Sequence, residues 1–138
     1  MPHFEQHFTL AQARALLPEL RRAFARIHAL LEEIQKQRGD QQAQQSSPVQ
    51  FFSANGHGPR VTGGGGGDRQ LEEIQTILNG INDKGVQVKD LRRGLCDFPH
   101  LLSPTQEEVF LCWELSESDI GYWHGLESGY GGRVRLEP

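Results

Sequence analysis

Val109-Phe110-Leu111-Cys112-Trp113-Glu114-Leu115 reads as a β-strand, rich in aromatic and branched residues and free of proline and glycine. Ser116-Glu117-Ser118-Asp119 is a polar turn, and Ile120-Gly121-Tyr122-Trp123-His124 reads as the returning strand of a β-hairpin. Upstream, Val86 and Val88 alternate with Gln87 and Lys89, which predicts a further strand beside the hairpin in a small antiparallel sheet. Alternation places Val109, Leu111, Trp113 and Leu115 on one face, the expected core face, and Phe110, Cys112 and Glu114 on the other. A short turn through Glu117-Ser118 would pair Trp113 with Tyr122 and Leu111 with His124. His124 would then sit at the core-facing rim, and Trp123 beside Cys112 on the opposite face.

Before the strands the apolar period is helical. Leu10, Ala13, Leu17, Leu20, Phe24, Ile27, Leu31 and Ile34 alternate steps of three and four, a heptad seam widened by Leu16, Ala23 and Leu30. Thr9 is the expected N-cap. Pro18 lies inside the pattern and predicts a kink or restart near Leu16-Leu17. Leu71, Ile74, Leu78 and Ile81 repeat the spacing over a shorter helix, with Asp68 as its expected cap and Gly80 or Gly85 as its end. The fold class is therefore α+β: an antiparallel helical hairpin, one long helix and one shorter, packed with a small antiparallel β-sheet. The long helix outruns its partner, so its uncovered stripe points to self-association, a homodimer.

Between the helices, about residues 39–67, stands a stretch rich in Gln, Ser and Gly that ends in the run Gly63 to Gly67. It reads as a flexible linker within a single domain over residues 1–138, with Phe51-Phe52 its candidate core contacts. The glycine run is not a phosphate loop, because Asp68-Arg69-Gln70 follows it where Gly-Lys-Ser/Thr would be needed.

With 138 residues and 36% apolar content, the chain has only a small core of its own. A net charge of −4 argues against a general nucleic-acid binder. No apolar run is long enough to span a bilayer and no signal peptide opens the chain, so no membrane association and a cytoplasmic location are expected. Two cysteines, Cys96 and Cys112, are too few for a disulfide framework or an all-cysteine zinc site.

The chain resembles the bacterial family known as domain of unknown function 2203. Phe8-Thr9-Leu10 and Leu16-Leu17-Pro18-Glu19-Leu20 carry the likeness at the start, and Gly85-Val86 with Val88-Lys89-Asp90-Leu91 and Gly94-Leu95-Cys96-Asp97-Phe98-Pro99 follow. The densest match is Leu111-Cys112-Trp113, Glu117, Ile120, Tyr122-Trp123-His124 and Gly129-Tyr130-Gly131-Gly132-Arg133. The resemblance implies a helical hairpin with a small sheet, in a cytoplasmic protein, and it implies no activity.

Candidate chemistry centres on His124. An imidazole with nearby carboxylates suits a divalent metal, and the candidate ligands are His124, Asp97 and Glu127. Glu117, in the turn, stands too far along the hairpin to share an ion with His124. The mixture suits Zn, Mn or Fe rather than Ca or Mg. Cys112, Trp123, Glu114 and Arg133 are the candidate ligand or partner surface, with Arg133 free to meet an anion, Glu127 or Asp97. Cys112 itself, mid-strand, reads as an inert buried thiol. Two readings follow. One is an oligomeric interaction module, with a protein partner and a candidate metal site; the other is a metal-dependent enzyme or small-ligand-binding protein using the His124 region.

Overall fold

A computed structural model describes residues 4–39, 49–54, 58–63, 67–103 and 105–136. Helix α1 spans Leu10–Gly39 and α2 spans Asp68–Asp83, with strands β1 (Gln50–Ala54) and β2 (Gly58–Thr62) between them. Strands β3 (Gln87–Asp90), β4 (Leu95–Leu102), β5 (Glu107–Trp113), β6 (Tyr122–Gly125) and β7 (Val134–Arg135) follow and form one antiparallel sheet in that order. The α+β class is as expected, helices first and the main sheet after them.

The Thr9 hydroxyl accepts from the Gln12 N–H at 3.0 Å, and the Gln12 amide oxygen accepts from the Thr9 N–H at 2.9 Å. This is a reciprocal capping box, which satisfies two of the free donors at the start of α1. α1 runs unbroken through Pro18, contrary to the restart expected there. α2 begins differently from the expectation too. Asp68 is its first helical residue, and the cap is Gly67, left-handed at φ 82° with no side-chain cap bond. A Cβ at Gly67 would lie 2.8 Å from Ile34 Cγ1, so the close approach of the two helices at this end requires glycine.

The segment read as a linker carries the two-stranded antiparallel sheet β1–β2, with Phe51 opposite Val61. Val61 is buried and Phe51 packs against the core, whereas Phe52 points outward. From α2, the Gln75 side chain accepts from the Val61 N–H and donates to the Pro59 carbonyl, pinning β2 to the helix. The polar stretch Gln41 to Pro48 and the centre of the glycine run, 64–66, lie outside the described residues.

One core joins both helices to one face of the large sheet. Leu20, Phe24, Ile27, Leu30 and Ile34 of α1 and Leu71, Ile74, Leu78 and Ile81 of α2 pack with Val88, Cys96, Phe98, Leu111 and Trp113. Ala13, Leu17, Leu31 and the rest of the three-four stripe from Leu17 to Ile34 are buried within the chain, while Leu10, Leu16 and Ala23 are half-buried against the core. Among the described residues no helix is long and apolar enough to cross a membrane.

β4 is absent from the sequence reading, and it contains Pro99, which cannot donate to a ladder. The Pro99 carbonyl accepts from the Phe8 N–H at 2.7 Å. N–H and C=O of one strand residue point the same way, so the donor that proline lacks also faces Phe8, beyond the end of β3. The β4–β5 ladder loses nothing.

Candidate metal centre

Asp97 on β4, Cys112 on β5 and His124 on β6 share the sheet face turned away from the helices. Asp97 pairs directly with Cys112, while His124 pairs with Phe110 and Tyr122 with Cys112. This corrects the expected hairpin register by one residue, and a one-residue shift exchanges the faces. His124 joins the Cys112 face, and Trp123, expected there, pairs with Leu111 and packs against the core. The cause is the connection, which is wider than a short turn. Ile120 is buried in the core, the Asp119 carboxylate accepts from the Ile120 N–H at 2.7 Å, and Glu117 accepts from the Glu114 N–H at 3.0 Å.

The three side chains are buried, and one ligand atom from each lies within 4.8 Å of the other two. His124 faces the Gly125 carbonyl through Nδ1 at 2.8 Å and Asp97 Oδ1 through Nε2 at 3.0 Å. A carbonyl only accepts, so Nδ1 carries the proton toward Gly125. In the neutral ring the lone pair therefore sits on Nε2 and points into the cluster, the arrangement of a metal-ligating histidine held by a backbone partner.

Burial lowers the His124 pKa, but the hydrogen bond and charge of Asp97, with the Gly125 carbonyl, outweigh it, and the pKa stands above its ordinary value. The sign of the pH effect follows. The stabilisation from charging His124 in the folded state is fully present below the unfolded pKa of about 6.5 and is lost as pH rises through the folded value. Urea unfolding of chelator-treated protein is therefore expected to show stability falling from pH 6 to pH 8, with a flatter profile for His124→Gln. A rise over that interval would contradict the pairing. The Cys112 thiol is pushed up to about 12 by burial and by Asp97, so without a metal it is a protonated, unreactive thiol. The Cys96 thiol, on the core face, is also pushed well above its ordinary value, chiefly by burial.

The N-terminal segment covers part of this face. The Phe4 ring lies 5.3 Å from Phe110, whose ring is 5.4 Å from that of His124. Glu108 accepts from the Phe4 N–H at 3.2 Å and contacts His7 Nε2 at 2.8 Å. On the Cys112 side, the Arg133 guanidinium stacks on Tyr122 at 3.9 Å and Nη2 donates to Glu117 at 2.6 Å.

Of the expected ligands, Asp97 and His124 meet in a hydrogen bond, while Glu127 is exposed on the wall of a neighbouring cleft and outside the cluster. Cys112, expected on a ligand or partner surface, is the third member of the cluster. Glu114 accepts from Arg93 at 2.8 Å and from the Tyr130 hydroxyl at 3.2 Å. Arg133 found Glu117 rather than Glu127 or Asp97. The sequence signal for Cys112 was available in part in the alternation of β4: with that strand recognised, Cys96 and Phe98 take the core face and Asp97 the other, the face alternation gives Cys112 on β5.

No curated protein and no solved structure matches the chain. The family described as uncharacterized conserved protein (DUF2203) matches over residues 6–136, and the chain belongs to it.

Proposed function

We propose that this protein binds one divalent transition metal, zinc before iron or manganese, through Asp97, Cys112 and His124. The observation that supports the reading is the buried convergence of one oxygen, one sulfur and one nitrogen donor within 4.8 Å, with His124 Nδ1 engaged by a backbone carbonyl. A tetrahedral zinc with bonds of about 2.0–2.3 Å separates its donors by about 3.3–3.6 Å. His124 Nε2 and Asp97 Oδ1 stand at 3.0 Å, so a small opening of that pair and a small contraction elsewhere would seat the ion. The thiolate favours zinc or iron over manganese, which prefers oxygen ligands.

Three protein donors leave a fourth position for water or a ligand, the pattern of catalytic rather than purely structural zinc sites. That supports a ligand-binding or enzymatic role over an interaction module. The ion pairs Glu19–Lys84 and Arg26–Glu73 run in opposite senses along the two helices, the later residue of α1 meeting the earlier one of α2, and support reading α1 and α2 as an antiparallel hairpin that backs the sheet.

The test is a zinc titration of untagged, chelator-treated protein by calorimetry. One site is expected, with affinity rising with pH because the ion displaces the Cys112 proton. That slope is opposite in sign to the stability profile of the metal-free protein. Absence of binding, or binding insensitive to pH, would overturn the reading.

A further inference from the structure

All three donors of the cluster are buried, so an ion enters or leaves only if part of their cover moves. The inference rests on the metal reading above and concerns that movement. On the helix side the cover is the core itself, and within the sheet β4, β5 and β6 are joined by paired ladders. The movable cover therefore belongs to the face turned away from the helices, where two elements are placed.

The first is the clasp around Arg133, on the Cys112 side. The guanidinium stacks between Tyr122, at 3.9 Å, and Tyr130, at 4.6 Å, and donates to Glu117 at 2.6 Å. The chain that follows pairs as β7 with β6, and the Leu136 N–H donates to the Gly121 carbonyl at 2.8 Å. This element is fixed at several successive points.

The second is the strap formed by residues 4–8. Phe8 is its root. The Phe8 ring is buried edge-on to Phe98 at 5.6 Å, its N–H donates to the Pro99 carbonyl, and its carbonyl accepts from the His100 Nδ1–H at 2.8 Å. Past the root the strap leaves the core: His7 and Phe4 are half-buried, and Glu5 and Gln6 are exposed. One carboxylate oxygen, Glu108 Oε2, meets both the Phe4 N–H at 3.2 Å and His7 Nε2 at 2.8 Å. Glu108, Phe110 and Cys112 follow each other on one face of β5. The Phe4 ring lies 5.3 Å from Phe110, and the buried Phe110 ring lies 5.4 Å from His124. A series of three rings thus leads from the end of the strap to a donor of the cluster. A segment with few buried contacts beyond a firm root opens at less cost than one held in a ladder.

We propose that this strap is the gate of the metal site, with Phe110 as the plug beside His124, Phe4 as the wedge that holds the plug, and Glu108 as the latch. Residues 4–7 swing about Phe8 to let the ion in and out. A gate of this kind changes the rates of uptake and release by the same factor, because both scale with the open population, and it leaves the equilibrium affinity in place.

The test is stopped-flow transfer of zinc from the loaded protein to a chromogenic chelator, at chelator concentrations where the rate no longer depends on the chelator. Uptake of zinc by the metal-free protein is measured alongside, and affinity by calorimetry. Phe4→Ala removes the wedge and Glu108→Ala the latch. Tyr130→Ala loosens the clasp instead and serves as the comparison. Release and uptake are both expected to quicken about tenfold in the two strap variants, the effect of losing an aromatic contact or the hydrogen bonds that hold the closed form. Zinc affinity should stay within a few-fold of wild type, and Tyr130→Ala should exchange zinc at close to the wild-type rate. Wild-type rates in both strap variants would overturn this inference alone. So would faster release with unchanged uptake, which would make the strap a contributor to affinity rather than a gate, and so would acceleration confined to Tyr130→Ala. Failure of zinc to bind the wild type would overturn the metal reading, and this inference with it.

Discussion

Cys112→Ser protein is expected to bind zinc at least about 100-fold more weakly than wild type while unfolding at a similar urea concentration. Loss of a residue that merely orients a metal ligand costs about 10–100-fold in affinity, and loss of a ligand itself should exceed that. Serine fills nearly the same space at a fully buried position, and its hydroxyl can replace the thiol as a donor to Asp97. The substitution therefore removes the soft donor and little else. His124→Ala is a harsher variant, because it leaves the buried Asp97 carboxylate without its imidazole partner. Calorimetry and urea denaturation on the same preparation separate the two effects. A Cys112→Ser protein with wild-type zinc affinity would remove sulfur from the coordination set.

Trp113→Ala is expected to destabilise the fold by about 3–5 kcal/mol, the range for deleting a large buried aromatic side chain. Trp113 is fully buried, pairs with Cys96 on β4 and joins the core beneath α1. Its Nε1–H donates to the Glu117 carbonyl at 2.9 Å, and the Arg21 guanidinium lies 5.6 Å from its ring centroid. The Arg21 guanidinium also donates to the Ser118 carbonyl at 2.8 Å. Removing the ring thus opens a cavity and loosens the connection that sets the β5–β6 register. Against a total stability of about 5–15 kcal/mol for a domain, that loss leaves much of the protein unfolded at moderate urea. Equilibrium urea denaturation checks it, and a loss below about 1 kcal/mol would mean that the ring is not part of the core.

Helix positions were legible because burial follows a local period. Leu71, Ile74, Leu78 and Ile81, selected by spacing alone, are the buried residues of α2. The capping role of Thr9 was likewise written locally, with Gln12 three residues on. What could not be read depended on partners distant in sequence. β2 is held by the Gln75 side chain of α2, so Pro59 and Gly58 looked like parts of a loop. β4 was not read from the sequence, and only the position of Phe8 shows that the donor Pro99 lacks faces away from β5.

The candidate site was half legible for the same reason. Asp97 and His124 were selected for their chemistry, but their meeting depends on a strand order and a register. Ile120 reaches into the core and lengthens the β5–β6 connection, and that single anchor decides whether His124 or Trp123 shares a face with Cys112. Period-two alternation fixes faces within a strand but not the offset between strands.

The central claim, a metal held by Asp97, Cys112 and His124, is tested most directly by cobalt(II) in place of zinc. Cobalt reports its own geometry and ligands in its absorption spectrum, and it occupies zinc sites. One equivalent added to chelator-treated wild type should give the intense visible bands of four-coordinate cobalt, with a near-ultraviolet thiolate charge-transfer band. Zinc should bleach both, and the charge-transfer band should be missing in Cys112→Ser. A wild-type spectrum indistinguishable from aqueous cobalt, or a charge-transfer band that persists in Cys112→Ser, would contradict the account.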